Sequence, residues 1–192
     1  GIYLDTDVEI IKPLDNFLVN KGYMGFEDDF NVNPGIGFAA EKGLPIIKKM
    51  MDTVYQNRSF KKEDGTLDLT ASPVLISDFL SACGMKRENS EQMIEGLHVY
   101  PKSFFCPIDY ETGVYMPSKN THTIHHFMAS WVENEMKMAS KNTRRLVKIF
   151  GVELGKKLAN YINMPLRLKL RIRQNGIKNT LKHFYQKWKN LI

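Results

Sequence analysis

Acidic residues are missing from the end of this chain. Residues 154–192 carry ten Lys or Arg and no Asp or Glu. The other seventeen of the 27 basic residues share the chain with all 21 acids, so a formal net charge of +6 conceals an acidic body joined to a basic tail. Cysteine is scarce too. Cys83 and Cys106 stand in neither a metal-binding nor a redox spacing, which predicts buried thiols in a reducing compartment rather than a disulfide. No apolar run approaches the roughly 20 residues of a membrane span, and no signal peptide is visible. Repeats and low-complexity tracts are absent, and so is an initiator Met. The chain opens at Gly1, just ahead of its first acids, which predicts an N-terminally truncated piece of a longer protein. With 43% hydrophobic and 25% charged residues, 192 residues suit one ordinary soluble domain with a substantial core.

What is present begins at once. In Gly1–Ile11 an apolar run breaks off into Asp5 and Asp7. A buried strand that ends in acids delivers them to the carboxyl edge of a sheet, where open α/β folds bind ligands. Two hard oxygen donors so placed suit a divalent cation holding a diphosphate. With ten Asp in the chain, about 0.5 Asp-x-Asp spacings arise by chance, so context must carry the motif. A phosphatase of the Asp-x-Asp-x-Thr kind needs Thr where Glu9 stands, and an EF-hand loop needs Gly where Ile10 stands.

The pattern predicts a central strand at 2–4, short strands at 23–27 and 36–40, and a helix opened by Pro45. Its apolar stripe is Ile46, Ile47, Met50, Met51, Val54 and Tyr55. A turn at Asp64-Gly65, a helix over 73–83 stopped by Gly84, strands at 97–100 and 123–127, and a loop over 107–119 follow. Residues 130–150 are expected to be helical, and the tail to hold one or two more helices. Strands alternating with helices indicate an α/β sheet.

Four segments in order carry a family resemblance. They are Gly1–Asp7 with Lys12-Pro13-Leu14-Asp15; Asn33–Ala40 followed by Pro45; Ser72-Pro73, where a Gly-Pro is commoner; and His125-His126-Phe127-Met128-Ala129-Ser130-Trp131. Together they resemble the glycosyltransferases with a DXD sugar-binding region, a group that includes mannosyltransferases and many bacterial capsule and lipopolysaccharide enzymes. The resemblance covers about residues 1–131. It implies a GT-A-like nucleotide-sugar-binding sheet flanked by helices, lacking its N-terminal part, over 1–150, with a basic helical tail over 151–192. The implied activity is retaining, metal-dependent transfer of a hexose from a nucleoside-diphosphate sugar to a glycan or lipid-linked acceptor in surface polysaccharide synthesis. The family's base-binding residues would precede Gly1, and no catalytic nucleophile is assigned.

Within that resemblance, Asp7 is the better candidate for direct metal ligation, with Asp5 nearer the ribose or a metal-bound water. His125 is the expected imidazole ligand. Successive strand side chains point to opposite faces, so His125 and His126 are not expected on one metal. A carboxylate and imidazole shell favours Mn²⁺, with Mg²⁺ second. Asn33, His126, Ser130 and Trp131 join Asp5 and Asp7 as nucleotide-sugar contacts. Plainer roles stand beside these: Asn33 as a turn before Pro34, Trp131 as core, and Ser130 as an N-cap at capping-box spacing from Glu133.

In the tail, Leu166, Leu168, Leu170 and Ile172 alternate with basic residues, and Ile177, Leu181, Phe184, Tyr185, Trp188 and Leu191 follow helical spacing. Basic residues with aromatic anchors suit an anionic membrane surface, and a solvated terminal helix is the plainer alternative. No nucleic-acid motif accompanies the charge. The expected location is cytoplasmic, peripheral on the inner face of the cell membrane. A catalytically inactive remnant, binding a membrane or partner through the tail, is the competing reading.

Overall fold

In the computed structural model, which describes residues 1–56, 58–62, 65–68, 70–128 and 132–189, the N-terminal segments assemble around one fully buried strand. The elements are β1 Ile2–Tyr3, β2 Val8–Ile10, β3 Gly22–Phe26, β4 Val32–Asn33, β5 Phe38–Ala40, α1 Pro45–Met50 and α2 Ser72–Ala82. After these come β6 Gln92–Ile94, β7 Leu97–Tyr100, α3 Lys102–Phe105, β8 Thr123–His125, α4 Asn134–Phe150, α5 Val152–Ile162 and α6 Met164–Lys189. The chain is mixed α/β and divides into two compact units. One spans Gly1–Tyr110 and Tyr115–Phe127, and the other takes 111–114 and the chain after Phe127. The expected division after residue 150 therefore moves forward, because α4 packs with α5 and α6.

The first unit is built on a six-stranded sheet of order β1-β5-β3-β7-β6, with β4 also on β3. β3 and β7 are parallel, with Tyr23 opposite His98, and the other pairings are antiparallel. β3 pairs with β4, β5 and β7 and is buried at every residue. Its alternation feeds two cores. Met24 and Phe26 join Ile46, Ile76, Leu80, Leu97 and Val99 on one face, while Tyr23 joins Phe17, Ile36, Tyr100 and Phe105 on the other. Full burial of each such aliphatic side chain contributes roughly 1.5–3 kcal/mol.

Several sequence expectations shift. The strand expected to be central is β1, which pairs only with β5 among the described residues. Ile2 and Tyr3 are 45% and 54% exposed, because the centre belongs to β3. The Pro45 helix continues past Met50 as a π-helix over Met51–Tyr55. Its wider i→i+5 turns rotate Met51 and Tyr55 out to solvent while Val54 stays packed. Gly84, at φ +103°, follows α2 as expected. Residues 8–10, unassigned from sequence, pair with β8 as a separate two-stranded ribbon. Asp64 lies outside the described residues.

The second unit is helical. α4 and α5 meet so closely that a Cβ on Gly155 would stand 2.5 Å from Val147 Cα. Only glycine permits that approach, since backbone cannot step aside like a flexible side chain. Asn163, fully buried, clamps the corner after α5. Its Nδ2 donates to the Ala139 carbonyl at 3.0 Å and to Thr143 Oγ1 at 3.1 Å, and its Oδ1 accepts from Asn142 at 2.9 Å. The period-two stretch 166–173 folds as helix, with a non-helical break at Gly176. Helical spacing splits its alternation into two rows: Leu166 and Leu170 are half-buried, and Leu168 and Ile172 are exposed. The side chains of Leu181, Phe184, Tyr185 and Trp188, and Leu191, lie outside what the structure describes. No helix among the described residues is long and apolar enough to cross a membrane.

Candidate metal centre

Strand direction explains where the acids gather. β1, β3 and β7 run the same way, because β1 and β3 are both antiparallel to β5, and β7 is parallel to β3. Asp5 after β1 and Glu27 after β3 therefore leave the sheet at one edge, the carboxyl edge where such sheets place ligands.

Main-chain geometry fixes Asp5. Its N–H donates to the Gly35 carbonyl at 2.8 Å, and its own carbonyl accepts from Val8 at 3.1 Å. The Tyr3 hydroxyl donates to Asp5 Oδ1 at 2.8 Å, and that hydrogen bond pushes the Tyr3 phenol pKa up. A Cβ on Gly35 would collide with the Asp5 carboxylate. Asn33 shapes this approach: its buried side-chain oxygen accepts from Gly35 N–H at 2.7 Å, capping the 3₁₀ turn Pro34–Ile36. The turn role expected for Asn33 is present.

The β2–β8 ribbon delivers the rest. Val8 pairs with His125, and His126 N–H donates to the Asp7 carbonyl at 3.0 Å. Thr123, fully buried, anchors β8 by bonding the Ile36 carbonyl at 3.0 Å or the Phe105 carbonyl at 2.8 Å. Two residues on and on the same face, His125 is only 7% exposed. Its Nε2 lies 3.2 Å from Asp7 Oδ1.

His125 Nδ1 faces Glu27 Oε1 at 3.7 Å, a charge contact too long for a hydrogen bond, and Nδ1 is a buried nitrogen lacking a hydrogen-bond partner. Glu27 itself accepts from Asn33 Nδ2 at 3.0 Å. Burial works to lower the His125 pKa, but Glu27, Asp7 and Asp5 together outweigh it, and the net direction is upward. The cluster of carboxylates around a buried imidazole favours a cation.

Asp5, Asp7 and His125 each offer one donor atom, all within 4.8 Å of one another. Donors bound at about 2.0–2.2 Å to one ion stand up to about 4.4 Å apart, so a few tenths of an ångström of contraction would close the group on a metal. The donor set, two carboxylates and an imidazole, could hold a metal ion.

The other expected residues divide. His126 turns the opposite way, its Nε2 2.9 Å from Glu9 Oε2 in an exposed pair, so the structure does not bring it to the cluster. Ser130 and Trp131 lie outside the described residues. Glu27 was missed from sequence. The signal existed, since an acid ends the apolar segment 22–26 just as Asp5 ends the first one. Neither protein-family models, nor curated proteins, nor solved structures give a match to this chain.

Proposed function

We propose that the chain is a metal-dependent glycosyltransferase. It moves a sugar from a nucleoside-diphosphate sugar to a glycan or lipid-linked acceptor, with retention at the anomeric carbon, in surface polysaccharide synthesis. The supporting observation is the convergence of Asp5, Asp7 and His125 at the carboxyl edge of the sheet. The four-segment resemblance supplies the choice of chemistry, and with it the GT-A-like reading of the sheet.

In this reading Asp7 and His125 hold the cation directly, and Asp5 completes the set or holds a metal-bound water. The bound Mn²⁺ or Mg²⁺ would act as a Lewis acid, neutralising charge on the departing nucleoside diphosphate. Asn33 caps the turn that brings Gly35 against Asp5, and the missing side chain at Gly35 leaves room for the Asp5 carboxylate. Glu27 lies on the Nδ1 side of His125 and Asp7 on the Nε2 side, so Nε2 is the nitrogen that would hold the cation with Asp7.

A panel of nucleotide sugars, assayed for Mn²⁺-dependent transfer and hydrolysis by the complete protein, tests the reading. Turnover that requires Mn²⁺ and disappears in Asp7→Asn is expected. Absence of both turnover and Mn²⁺-dependent nucleotide binding would favour the non-catalytic module instead.

A further inference from the structure

The orientation of α6 is set by its inner side. Glu135, in the first turn of α4, pairs with Lys169 at 3.0 Å and with Arg173, and Arg173 also reaches Glu133 at 3.1 Å. With Leu166 and Leu170 half-buried, this turns the opposite side of the helix outward. There Met164, Leu168 and Ile172, spaced i, i+4 and i+8, form a row 64%, 38% and 36% exposed. Arg167 and Arg171, both exposed, stand beside it. Tyr161, 77% exposed, precedes the same corner.

We propose that this outer face, the Met164–Leu168–Ile172 row with Arg167 and Arg171, docks on an anionic bilayer surface. Charge complementarity favours such a surface. Within 154–192 there is no acid; among the described residues Glu111 pairs with Lys156, and Glu133 and Glu135 pair with Lys169 and Arg173. The Glu133 and Glu135 pairs hold Lys169 and Arg173 on the inner side of α6. Among the described residues no carboxylate ion pair holds the exposed Lys157 or Arg167. An exposed apolar row with arginines along one flank matches the interfacial layer of a bilayer, where the row enters the acyl boundary and the guanidinium groups stay at the phosphates. A folded protein partner would need a matching acidic groove, whereas a bilayer offers negative charge over a whole plane. This inference stands independently of the sugar-transfer reading.

Co-sedimentation of the whole chain with vesicles of phosphatidylcholine, alone or with about one-third phosphatidylserine, tests it. Binding is expected to the mixed vesicles only, falling steeply as salt rises. The double variant Arg167→Gln/Arg171→Gln should weaken it roughly thirtyfold. Leu168→Gln/Ile172→Gln should remove the binding that persists at higher salt. All four sites are exposed, so far-UV circular dichroism should be unchanged. Equal binding to neutral vesicles, no binding to either, or unaltered binding by both variants would overturn the proposal. So would a dimer mass in light scattering that the Leu168/Ile172 variant abolishes, since a second copy would then cover the face. Binding of single-stranded nucleic acid in place of vesicles would overturn it as well. For the wild-type chain the salt dependence alone decides, even if a variant misfolds.

Discussion

The two units use buried polar groups for opposite ends. In the helical unit, Asn163 has each side-chain atom bonded within the fold, and Glu135 is matched by Lys169 and Arg173. Such groups fix how helices meet and leave nothing for a ligand. In the sheet unit, His125 keeps a buried nitrogen without a hydrogen bond, and the carboxylates of Asp7 and Glu27 face its ring from two sides. A buried nitrogen left without a hydrogen bond is costly, and carboxylates gathered round an imidazole could hold a metal ion. The contrast is between a polar cluster closed within the fold and one whose donor atoms could hold a metal ion.

The sharpest way to break that contrast is Asp7→Asn. The change keeps the shape but removes a charge from the proposed cation shell, so Mn²⁺ affinity should fall by at least about a hundredfold, with activity lost and thermal stability retained. Near-normal Mn²⁺ titration by electron paramagnetic resonance would remove Asp7 from the shell.

Gly155→Ala attacks the other side of the comparison. The added methyl meets the Val147 backbone, so the helical unit should lose about 3 kcal/mol in denaturant unfolding followed by helical circular dichroism. Mn²⁺ binding should be unchanged. An equal fall in Mn²⁺ affinity would show that the two kinds of cluster are not independent.

Glu27→Gln sharpens the assignment of roles within the site. The amide keeps the Asn33 contact available but withdraws the charge facing His125 Nδ1. Mn²⁺ affinity should drop by roughly tenfold, and the imidazole ¹⁵N shifts should report a changed tautomer balance. Unaltered shifts and affinity would leave Glu27 a structural partner of Asn33 alone.

The smallest expected effect is a matter of pH. The Glu135 carboxyl is held down to about 2, first by the Lys169 hydrogen bond, then by a backbone N–H and by Arg173. A depressed acid contributes stability above its ordinary value of 4.5, and that contribution is lost as pH falls from 4.5 toward 2. The helical unit should therefore soften in that window, and Glu135→Gln should flatten the pH dependence of its melting temperature. A profile identical to wild type would remove Glu135 from the account.

Legibility followed locality. Asp5 and Asp7 were readable because a strand that stops in acids is a local pattern, and α2 with its Pro73 opening and Gly84 stop was readable for the same reason. The rank of the strands was not. Ile2–Leu4 reads as apolar enough to be central, yet burial depends on which neighbours cover it, and β3 took that place. The tail is helical as expected, despite its period of two over 166–173. Alternation over 166–173 fits a strand, but α4 offers Glu133 and Glu135 to Arg173 and Lys169, and a helix lets positions 169 and 173 reach the same carboxylate.

By itself the sequence determined the acids at a strand end, the imidazole pair at 125–126, the basic end free of acid, and the absence of a membrane-spanning run. These follow from residue type and short spacing, which chain chemistry reports directly. Only the tertiary structure decided that His125 rather than His126 faces Asp7, that Glu27 stands behind it, and that one row of α6 looks outward. Those choices depend on strand direction, ribbon register and helix rotation, each set by packing between segments far apart in the chain.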